Sequence, residues 1–230
     1  MAEAVAVQIG RHIDRRINGR IDGQIDGARW RPRITHEPAP IDLVTAEAAA
    51  TEMLAALGLP IDSEDMLETP RRLVHAYAEM LTPPEFDSTS FDNSAGYDEL
   101  VLVTDIPVHS LCEHHLLPFS GVAHVGYLPG TRILGLSKFA RTVEFFARRA
   151  QTQERLTTEI AEHLTERLEP QGVGVVIEAE HTCMSVRGAR AEGARTVTAA
   201  LHGRLRDDPK TRAEFLSLTR NPATRSGGAR

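Results

Sequence analysis

Cysteine is scarce in this sequence: Cys112 and Cys183 are the two cysteines among its 230 residues. A count this low excludes the disulfide-dense scaffolds of small secreted proteins. A disulfide between the two would suit a secreted protein, but the N-terminus has no long apolar stretch of the kind that signal peptides carry. We therefore predict a cytoplasmic protein in which the two thiols bind a metal or take part in chemistry.

Long apolar runs and an excess of positive charge are also missing. No run approaches the roughly 18 apolar residues of a membrane-spanning helix, so no membrane partner is expected. The net charge is −6, which gives the fold as a whole no basic field for nucleic acid. Lysine is nearly absent, with Lys138 and Lys210 against 24 arginines, so a lysine in a motif is stronger evidence of function than an arginine.

Residues 1–40 do not have the pattern of a core element. Isoleucine recurs every four residues, and glycine recurs at the same step, at Ile13, Ile17, Ile21, Ile25, Gly19, Gly23 and Gly27. The spacing is close to helical, but a glycine in each turn costs a helix about 1 kcal/mol, and the Asn-Gly and Asp-Gly pairs favour turns. We predict a flexible extension over 1–40 in preference to an ordered element, and a flexible tail over 221–230.

The remaining chain divides into a helical region with a loop, over 41–98, and a mixed domain, over 99–220. Periodicity predicts helices over 42–57, 70–81, 136–151, 153–168 and 209–219, a polar loop over 82–98, and strands over 99–106, 121–129, 172–184 and 194–205. Thr69 is the predicted N-cap of the second helix and Asp208 that of the last, each followed by a proline at the first helical position.

This order of elements, with strands following strands and helices following helices, predicts an α+β fold. We expect an antiparallel four-stranded sheet with two helices on one face, preceded by the N-terminal helical region. The open edges of such a sheet must be covered or paired, and homo-oligomerisation edge to edge is one solution.

The segment "LCEHHLLPF" at 111–119 brings a cysteine and two histidines into four positions. Cys112 and His115 have the spacing of a metal-binding turn, and Cys183 is the one further cysteine that could join them. A Cys, His, Cys set suits zinc, and three protein ligands leave the fourth position to water, as in catalytic zinc sites. Water bound at such a site can ionise near neutral pH.

His114 is predicted to stay outside this ligand set, because adjacent residues on an extended segment point to opposite sides. It becomes a candidate general acid or base beside the metal. His181, two positions before Cys183, could approach from another strand. The alternative for any single histidine is an ordinary hydrogen-bonded surface or core residue.

A second constellation, "GLSKFAR" at 135–141, indicates an anion. Ser137 is predicted to cap a helix, with Lys138 and Arg141 in its first turn. Cations oppose the usual preference at a helix start, and a bound phosphate would reconcile them with it. The alternative is that both point to solvent. Arg187 and Arg72 could add further positive charge.

Together these segments resemble GTP cyclohydrolase I, a family of the tunnelling-fold superfamily, from about residue 42 to residue 219. The motifs CEHH, GLSK, QERLT and HTCMSVRG occur in this order. The resemblance implies that GTP and water give 7,8-dihydroneopterin triphosphate and formate, the first step of pterin and tetrahydrofolate biosynthesis. It also implies a homodecamer of two pentameric rings, with active sites at subunit interfaces.

The resemblance further implies a role for each candidate residue. Cys112, His115 and Cys183 would bind zinc, which activates the water that attacks carbon 8 of guanine. His114 would protonate the adjacent ring nitrogen, and His181 would assist hydrolysis and the release of formate. The remaining positions would bind substrate: Gln153 and Glu154 at the pyrimidine edge of guanine, and Ser137, Lys138, Arg141, Arg187 and, from a neighbouring subunit, Arg72 at the ribose and triphosphate.

Two other classes stay open. The nitrile-reductase branch of the same superfamily needs a nucleophilic cysteine and a nicotinamide cofactor, whereas both cysteines here are assigned to the metal. A non-catalytic, zinc-stabilised oligomer or binding module would bind metal without turning over GTP. Metal analysis together with a formate-release assay would separate these classes.

Overall fold

A computed structural model of the protein describes residues 39–85 and 89–220. The predicted flexible extension, except for its last two residues, and the predicted tail over 221–230 lie outside the described residues. Within the described ranges, no helix is long and apolar enough to cross a membrane.

Two helices precede the sheet and pack against each other: α1 spans Leu43–Ala56 and α2 spans Thr69–Leu81. Asp42 caps α1, because its carboxylate accepts a hydrogen bond from the Thr45 backbone N–H at 3.1 Å. The sequence predicts Thr69 as the cap of α2. That prediction is wrong by one residue, since Thr69 is already helical and Glu68 is the cap.

The strands form one large sheet and one small one. Their bounds are β1 Ser90–Asp92, β2 Val101–Cys112, β3 Pro118–Leu128, β4 Arg132–Leu134, β5 Ala150–Gln151, β6 Gly172–His181 and β7 Thr196–Gly203. The large sheet has the order β5-β2-β3-β6-β7, in which β2, β3, β6 and β7 pair antiparallel and β5 pairs parallel to the end of β2. β1 and β4 form a separate antiparallel pair.

The four expected antiparallel strands are present, but the sheet has a fifth strand that the sequence does not reveal. β5 has only two residues, too few for a pattern of alternation. The expected loop over 82–98 also contains β1. β2 runs six residues beyond its predicted end at 106 and contains a bulge between Val103 and Ile106, where Asp105 has a φ of 55°. Pro107, which has no N–H for a strand ladder, directly follows the predicted end and argues on sequence grounds against a continuing strand.

Two long helices cover one face of the sheet: α3 spans Leu136–Ala147 and α4 spans Gln153–Leu168. Their apolar stripes join strand residues in the main core, which includes Val108, Val125, Phe139, Phe146, Ile160 and Val175. Gly135 is the N-cap of α3. Ser137 is therefore the second residue of the helix, and its predicted capping role is wrong.

Three further helices complete the described chain: α5 spans Thr182–Ser185, α6 Arg204–Asp207 and α7 Pro209–Thr219. α5 begins where β6 was expected to continue to residue 184. On α7, Phe215 is buried over two glycines in neighbouring strands, Gly126 and Gly174. A Cβ at Gly174 would lie 2.7 Å from the Phe215 ring, so the ring occupies the space that a side chain would need.

Candidate metal centre and active site

The first half of the site is a tight turn at the end of β2. The Leu116 N–H donates to the Cys112 carbonyl at 2.7 Å, and the Cys112 N–H donates to the Leu117 carbonyl at 2.9 Å. Leu116 closes the turn with a left-handed φ of 51°. The premise that His114 and His115 lie on an extended segment is therefore wrong. Their side chains nevertheless diverge, with ring centroids 6.4 Å apart and ring planes at 84°.

The second half comes from the end of β6 through the strand register. Phe119 at the start of β3 pairs with Ser110 of β2 on one side and with His181 of β6 on the other. This pairing brings α5, which follows His181 directly, close to the turn after β2. Cys183 on α5 thereby reaches Cys112 across the start of β3.

Cys112, His115 and Cys183 form a group that could hold a metal ion. One ligand atom from each lies within 4.8 Å of the other two. Cys112 is buried, Cys183 is half-buried and His115 is exposed, so one side of the group is open. Two sulfurs and one imidazole nitrogen are a donor set that zinc prefers. The residues present thus fit the metal that the resemblance implies.

The pKa of the Cys183 thiol also favours a cation at this group. Burial raises the pKa of the Cys183 thiol, the neighbouring Cys112 adds to the rise, and Arg187 opposes it. Two adjacent thiolates repel each other, so both ionise readily only when a positive charge lies between them. A divalent ion would supply that charge.

Glu113 and Arg155 fix the turn, and sequence reasoning missed both. The Arg155 guanidinium on α4 donates to the Glu113 carboxylate, and its Nε donates to the Gln151 side-chain oxygen at 2.8 Å. The Glu113 N–H also donates to the Gln151 carbonyl at 3.0 Å. The charged residue between Cys112 and His114 is therefore held by the helix and by β5. The position of Glu113 inside the CEHH motif is the sequence feature that could have identified it.

His114 lies next to the ligand group on its exposed side. Its Nδ1 is 3.9 Å from the Cys112 sulfur, and its Nε2 is 4.0 Å from a Glu113 carboxylate oxygen. The side chain is 65% exposed, so it can meet a substrate that enters from solvent.

His181 is held more tightly. Its ring stacks on Phe119, with centroids 4.5 Å apart and planes 8° from parallel. Its Nε2 is 2.8 Å from the side-chain oxygen of Gln153, the first residue of α4. Burial lowers the pKa of His181, and the nearby Glu154 carboxylate opposes that shift. His181, Gln153 and Glu154 thus meet beside Cys183.

The predicted cations divide between two places. Arg187 is exposed just after α5, close enough to influence Cys183. Ser137 and Lys138 lie in the first turn of α3, at the opposite end of the sheet, whereas Arg141, which was predicted for the same turn, is the sixth residue of the helix. Leu134, just before α3, donates its N–H to the Tyr127 hydroxyl at 2.8 Å, and Tyr127 pairs with Val101 at the start of β2.

The separation of the α3 cations from the metal group follows from the length of α3. Its 12 residues span roughly 18 Å at the helical rise. β5 follows α3 and pairs with Leu111 and Cys112, so the C-terminal end of α3 is the end near the metal group. Ser137 and Lys138, at the N-terminal end, lie about one helix length from it. Arg72 lies on the exposed surface of α2, beside Arg71, His75 and Glu79.

Comparison with known proteins decides the family. The family model described as GTP cyclohydrolase I matches residues 46–220. The chain belongs to the GTP cyclohydrolase I family. Every predicted site residue lies within the matched range, whereas the glycine and isoleucine repeat lies before it.

Individual members of the GTP cyclohydrolase I family match over most of their length. A protein named GTP cyclohydrolase 1 from Streptomyces griseus is 56% identical over 180 residues, which cover 75% of this chain and 88% of the relative. Proteins of the same name from Thermobifida fusca and Mycolicibacterium vanbaalenii are each 51% identical, over 79% and 78% of this chain and 90% and 92% of theirs. The α+β architecture with its antiparallel sheet is consistent with the tunnelling fold of this family.

Proposed function

We propose that this protein is a zinc-dependent GTP cyclohydrolase, which converts GTP and water to 7,8-dihydroneopterin triphosphate and formate at the start of pterin and folate biosynthesis. The observation that carries the proposal is the Cys112, His115, Cys183 group beside two histidines that lie outside it. Membership of the GTP cyclohydrolase I family supplies the substrate and implies a homo-oligomer.

Zinc is the ion that the three ligands would hold. When bound, it lowers the pKa of a coordinated water and so supplies a nucleophile for carbon 8 of guanine at neutral pH. The turn at Cys112 and the helix at Cys183 set the positions of the two sulfurs. The Glu113 and Arg155 ion pair keeps the turn in register with α4.

The two remaining histidines divide the proton transfers. His114, exposed beside the ligands, protonates the ring nitrogen next to carbon 8 as the imidazole ring of guanine opens. His181, stacked on Phe119, assists the hydrolysis that releases carbon 8 as formate. The contrast in exposure supports this division, because His114 can follow a moving substrate whereas His181 stays fixed.

Glu154 is the residue best suited to select guanine. It is exposed in the first turn of α4, next to His181. Guanine presents a ring N–H and an exocyclic amino group side by side, and one carboxylate accepts from both. Adenine offers an unprotonated ring nitrogen there, which would face the carboxylate lone pairs. A site built on such hydrogen bonds rejects a mispaired analogue by about 10⁴-fold or more.

The triphosphate is then bound across a subunit interface. Lys138 and Arg141 lie near the start of α3, whereas the other end of α3 is the one near the metal ligands, so we assign them to the site of a neighbouring chain, as the family resemblance implies. Arg187 lies close to Cys183 of its own chain and would bind the triphosphate together with the neighbouring chain's Lys138 and Arg141. A decamer of two pentamers, with sites formed between chains, satisfies this requirement and covers the open edges of the sheet.

The alternative branch of the superfamily lacks its nucleophile here. A nitrile reductase needs a cysteine that attacks its substrate, and both cysteines of this chain lie in the metal group. A purely structural zinc site is normally closed by four protein ligands, whereas three candidate ligands meet here and one side is open.

Formate release from GTP, measured with the metal content, tests the proposal. We expect about one zinc per chain, formate release that stops on chelation and returns with zinc, and negligible formate from ATP. Glu154→Ala should remove most GTP turnover while zinc stays bound. Glu166→Ala, an exposed glutamate near the other end of α4, is the matched control. Zinc-loaded protein that releases no formate from GTP would refute the function.

A further inference from the structure

We propose that Gln153 is a positioning residue that holds His181 in one orientation and one tautomer, with Nε2 protonated and Nδ1 left for the reaction. This inference rests on the proposed function and changes the role of Gln153 that the family resemblance implies. Gln153 would act through His181 and would not be a contact to guanine.

The position of Gln153 is internal. It is the first residue of α4, and only 1% of it is exposed. Its side-chain nitrogen lies 3.0 Å from the Ile177 carbonyl oxygen of β6, 3.0 Å from the Thr196 carbonyl oxygen and 3.2 Å from the Thr198 hydroxyl of β7. Its side-chain oxygen faces His181.

These neighbours decide which end of the amide is nitrogen. A carbonyl oxygen can only accept a hydrogen bond. If the amide were rotated by half a turn, its oxygen would face two carbonyl oxygens, with no proton between them. The nitrogen must therefore point toward Ile177 and Thr196, and the oxygen must point toward His181.

Two threonine hydroxyls complete the same network. The Thr157 hydroxyl donates to the Gln153 backbone carbonyl at 2.7 Å. It lies 2.6 Å from the Thr198 hydroxyl, which must then donate to it. The Gln153 amide nitrogen has two protons, which the two carbonyl oxygens at 3.0 Å accept, so the Thr198 oxygen at 3.2 Å can only share one of them. The threonine pair nevertheless packs against the nitrogen end of the amide and adds no acceptor that would favour the rotated amide.

The consequence reaches His181. The Gln153 oxygen is an acceptor only, so the 2.8 Å contact requires a proton on His181 Nε2. In the neutral ring the second nitrogen, Nδ1, then carries the lone pair. Stacking on Phe119 fixes the plane of the ring, and the hydrogen bond fixes its rotation within that plane. The atom available for proton transfer is therefore Nδ1.

The same contacts argue against guanine binding by Gln153. Both ends of its amide are engaged by the protein, and the side chain is not accessible. A guanine contact would break the hydrogen bond to His181 or those to the strands. Glu154, the next residue, is exposed and keeps that assignment.

A double-mutant cycle on GTP turnover tests the inference. We expect Gln153→Ala to lower kcat by about 10- to 100-fold, as a small misplacement of a catalytic group does. Zinc content and the KM for GTP should stay within about twofold. In a His181→Ala background, the same Gln153→Ala change should cost less than about twofold, because its target is gone.

Two outcomes would overturn the inference. An equal loss of kcat in both backgrounds would mean that Gln153 acts independently of His181. A rise in the KM for GTP of about tenfold or more in both backgrounds would return it to guanine binding. Melting curves monitored by circular dichroism establish that each variant is folded.

A spectroscopic measurement tests the tautomer without any change at Gln153. Nitrogen NMR of the assembled, ¹⁵N-histidine-labelled protein, minus the spectrum of His181→Ala, reports which ring nitrogen of His181 carries the proton. We expect Nε2–H, and an Nδ1–H tautomer would overturn the assignment. The spectrum does not depend on turnover. A protein that shows Nε2–H but releases no formate would refute the proposed function and leave the hydrogen-bond network intact.

Discussion

The two ends of the central sheet differ in what a single chain completes. At the end formed by Cys112, Pro118 and His181, three separate segments meet, and their candidate metal ligands lie within 4.8 Å of one another. At the other end, Lys138 and Arg141 lie in the first two turns of α3, and the metal ligands lie near the opposite end of that helix. We call the first the metal end and the second the cationic end. A single chain brings all three candidate metal ligands together at the metal end, whereas the cationic end holds only the candidate phosphate-binding residues.

The two ends depend on different features: one on the pairing of strands within the chain, the other on a neighbouring chain. Strand register determines the metal end, because the pairing of Phe119 with Ser110 and with His181 brings Cys112 and Cys183 close together. The cationic end acquires its proposed role only from a neighbouring copy. On the proposed function, the bond-breaking residues come from one chain, and binding of the triphosphate requires the assembly.

Loss of a sulfur ligand at the metal end should have the largest effect on zinc content and GTP turnover. Cys183→Ser replaces a thiolate with a hard, poorly ionised hydroxyl, so we expect loss of zinc and of GTP turnover together. Met184→Leu, at the adjacent exposed position, is the control and should keep both. Metal analysis of the purified variants is the measurement. Full zinc occupancy in Cys183→Ser would remove Cys183 from the ligand set.

Co-assembly of two inactive variants, one altered at each end of the sheet, tests whether one active site combines residues of two chains. Cys183→Ser and the double variant Lys138→Ala, Arg141→Ala should each be nearly inactive alone. Co-assembled at equal amounts, they should regain about a quarter of normal turnover, because about one site in four unites an intact half from each chain. Each variant assembled alone provides the background. If co-assembled protein stays at that background, both halves of the site come from one chain.

A smaller effect should separate the adjacent histidines within the metal end. His114→Ala should keep zinc and lose about 10²- to 10⁴-fold in turnover, the usual contribution of a general acid or base. His115→Ala should lose the metal. Zinc content and kcat are measured on both variants side by side. Equal loss of metal from both would show that the turn does not divide their roles.

The smallest effect concerns the core between the two ends, where His163 of α4 is 2% exposed against Phe146. Burial lowers the pKa of His163 from 6.5 to about 4, and Arg167 adds to the shift. Between these values the unfolded chain holds a proton that the folded chain excludes, so stability falls as the pH drops through this window. At about pH 5 this costs about 2 kcal/mol relative to neutral pH.

His163→Leu should remove that loss. Urea unfolding at about pH 7.5 and about pH 5, at one fixed protein concentration, gives the change in the free energy of unfolding for each protein. We expect the variant to lose about 2 kcal/mol less than the parent between the two conditions. An equal loss in both proteins would show that His163 is protonated in the folded state.

Most of the fold can be predicted from the sequence, because apolar residues recur with a constant period along each long helix and strand. The apolar stripe of 153–168 predicts α4 to the residue, and Asp208 and Pro209 predict the start of α7. The failures are short or irregular. β5 has two residues, Pro107 interrupts the strand pattern of β2, and α5 is a single turn that follows a strand without a break.

The candidate site was predictable as a set of residues but not as an arrangement. Ligand chemistry selects Cys112, His115 and Cys183, and the structure brings these three together. The sequence does not show that Gln153 is buried, because glutamine at a helix start is ordinarily exposed. Its burial depends on the Ile177 and Thr196 carbonyls of two distant strands, and no local pattern encodes them.

Cys112 and Cys183 stand about seventy positions apart in the chain, on either side of the start of β3. An ion held by both would close that long loop, which on the chain-entropy model destabilises the unfolded chain by about 4 kcal/mol, as a covalent cross-link of this length would. Metal depletion would therefore loosen this end of the sheet as well as stop the reaction. Oxidation of the same two sulfurs to a disulfide would close the same loop and leave neither thiolate for the ion.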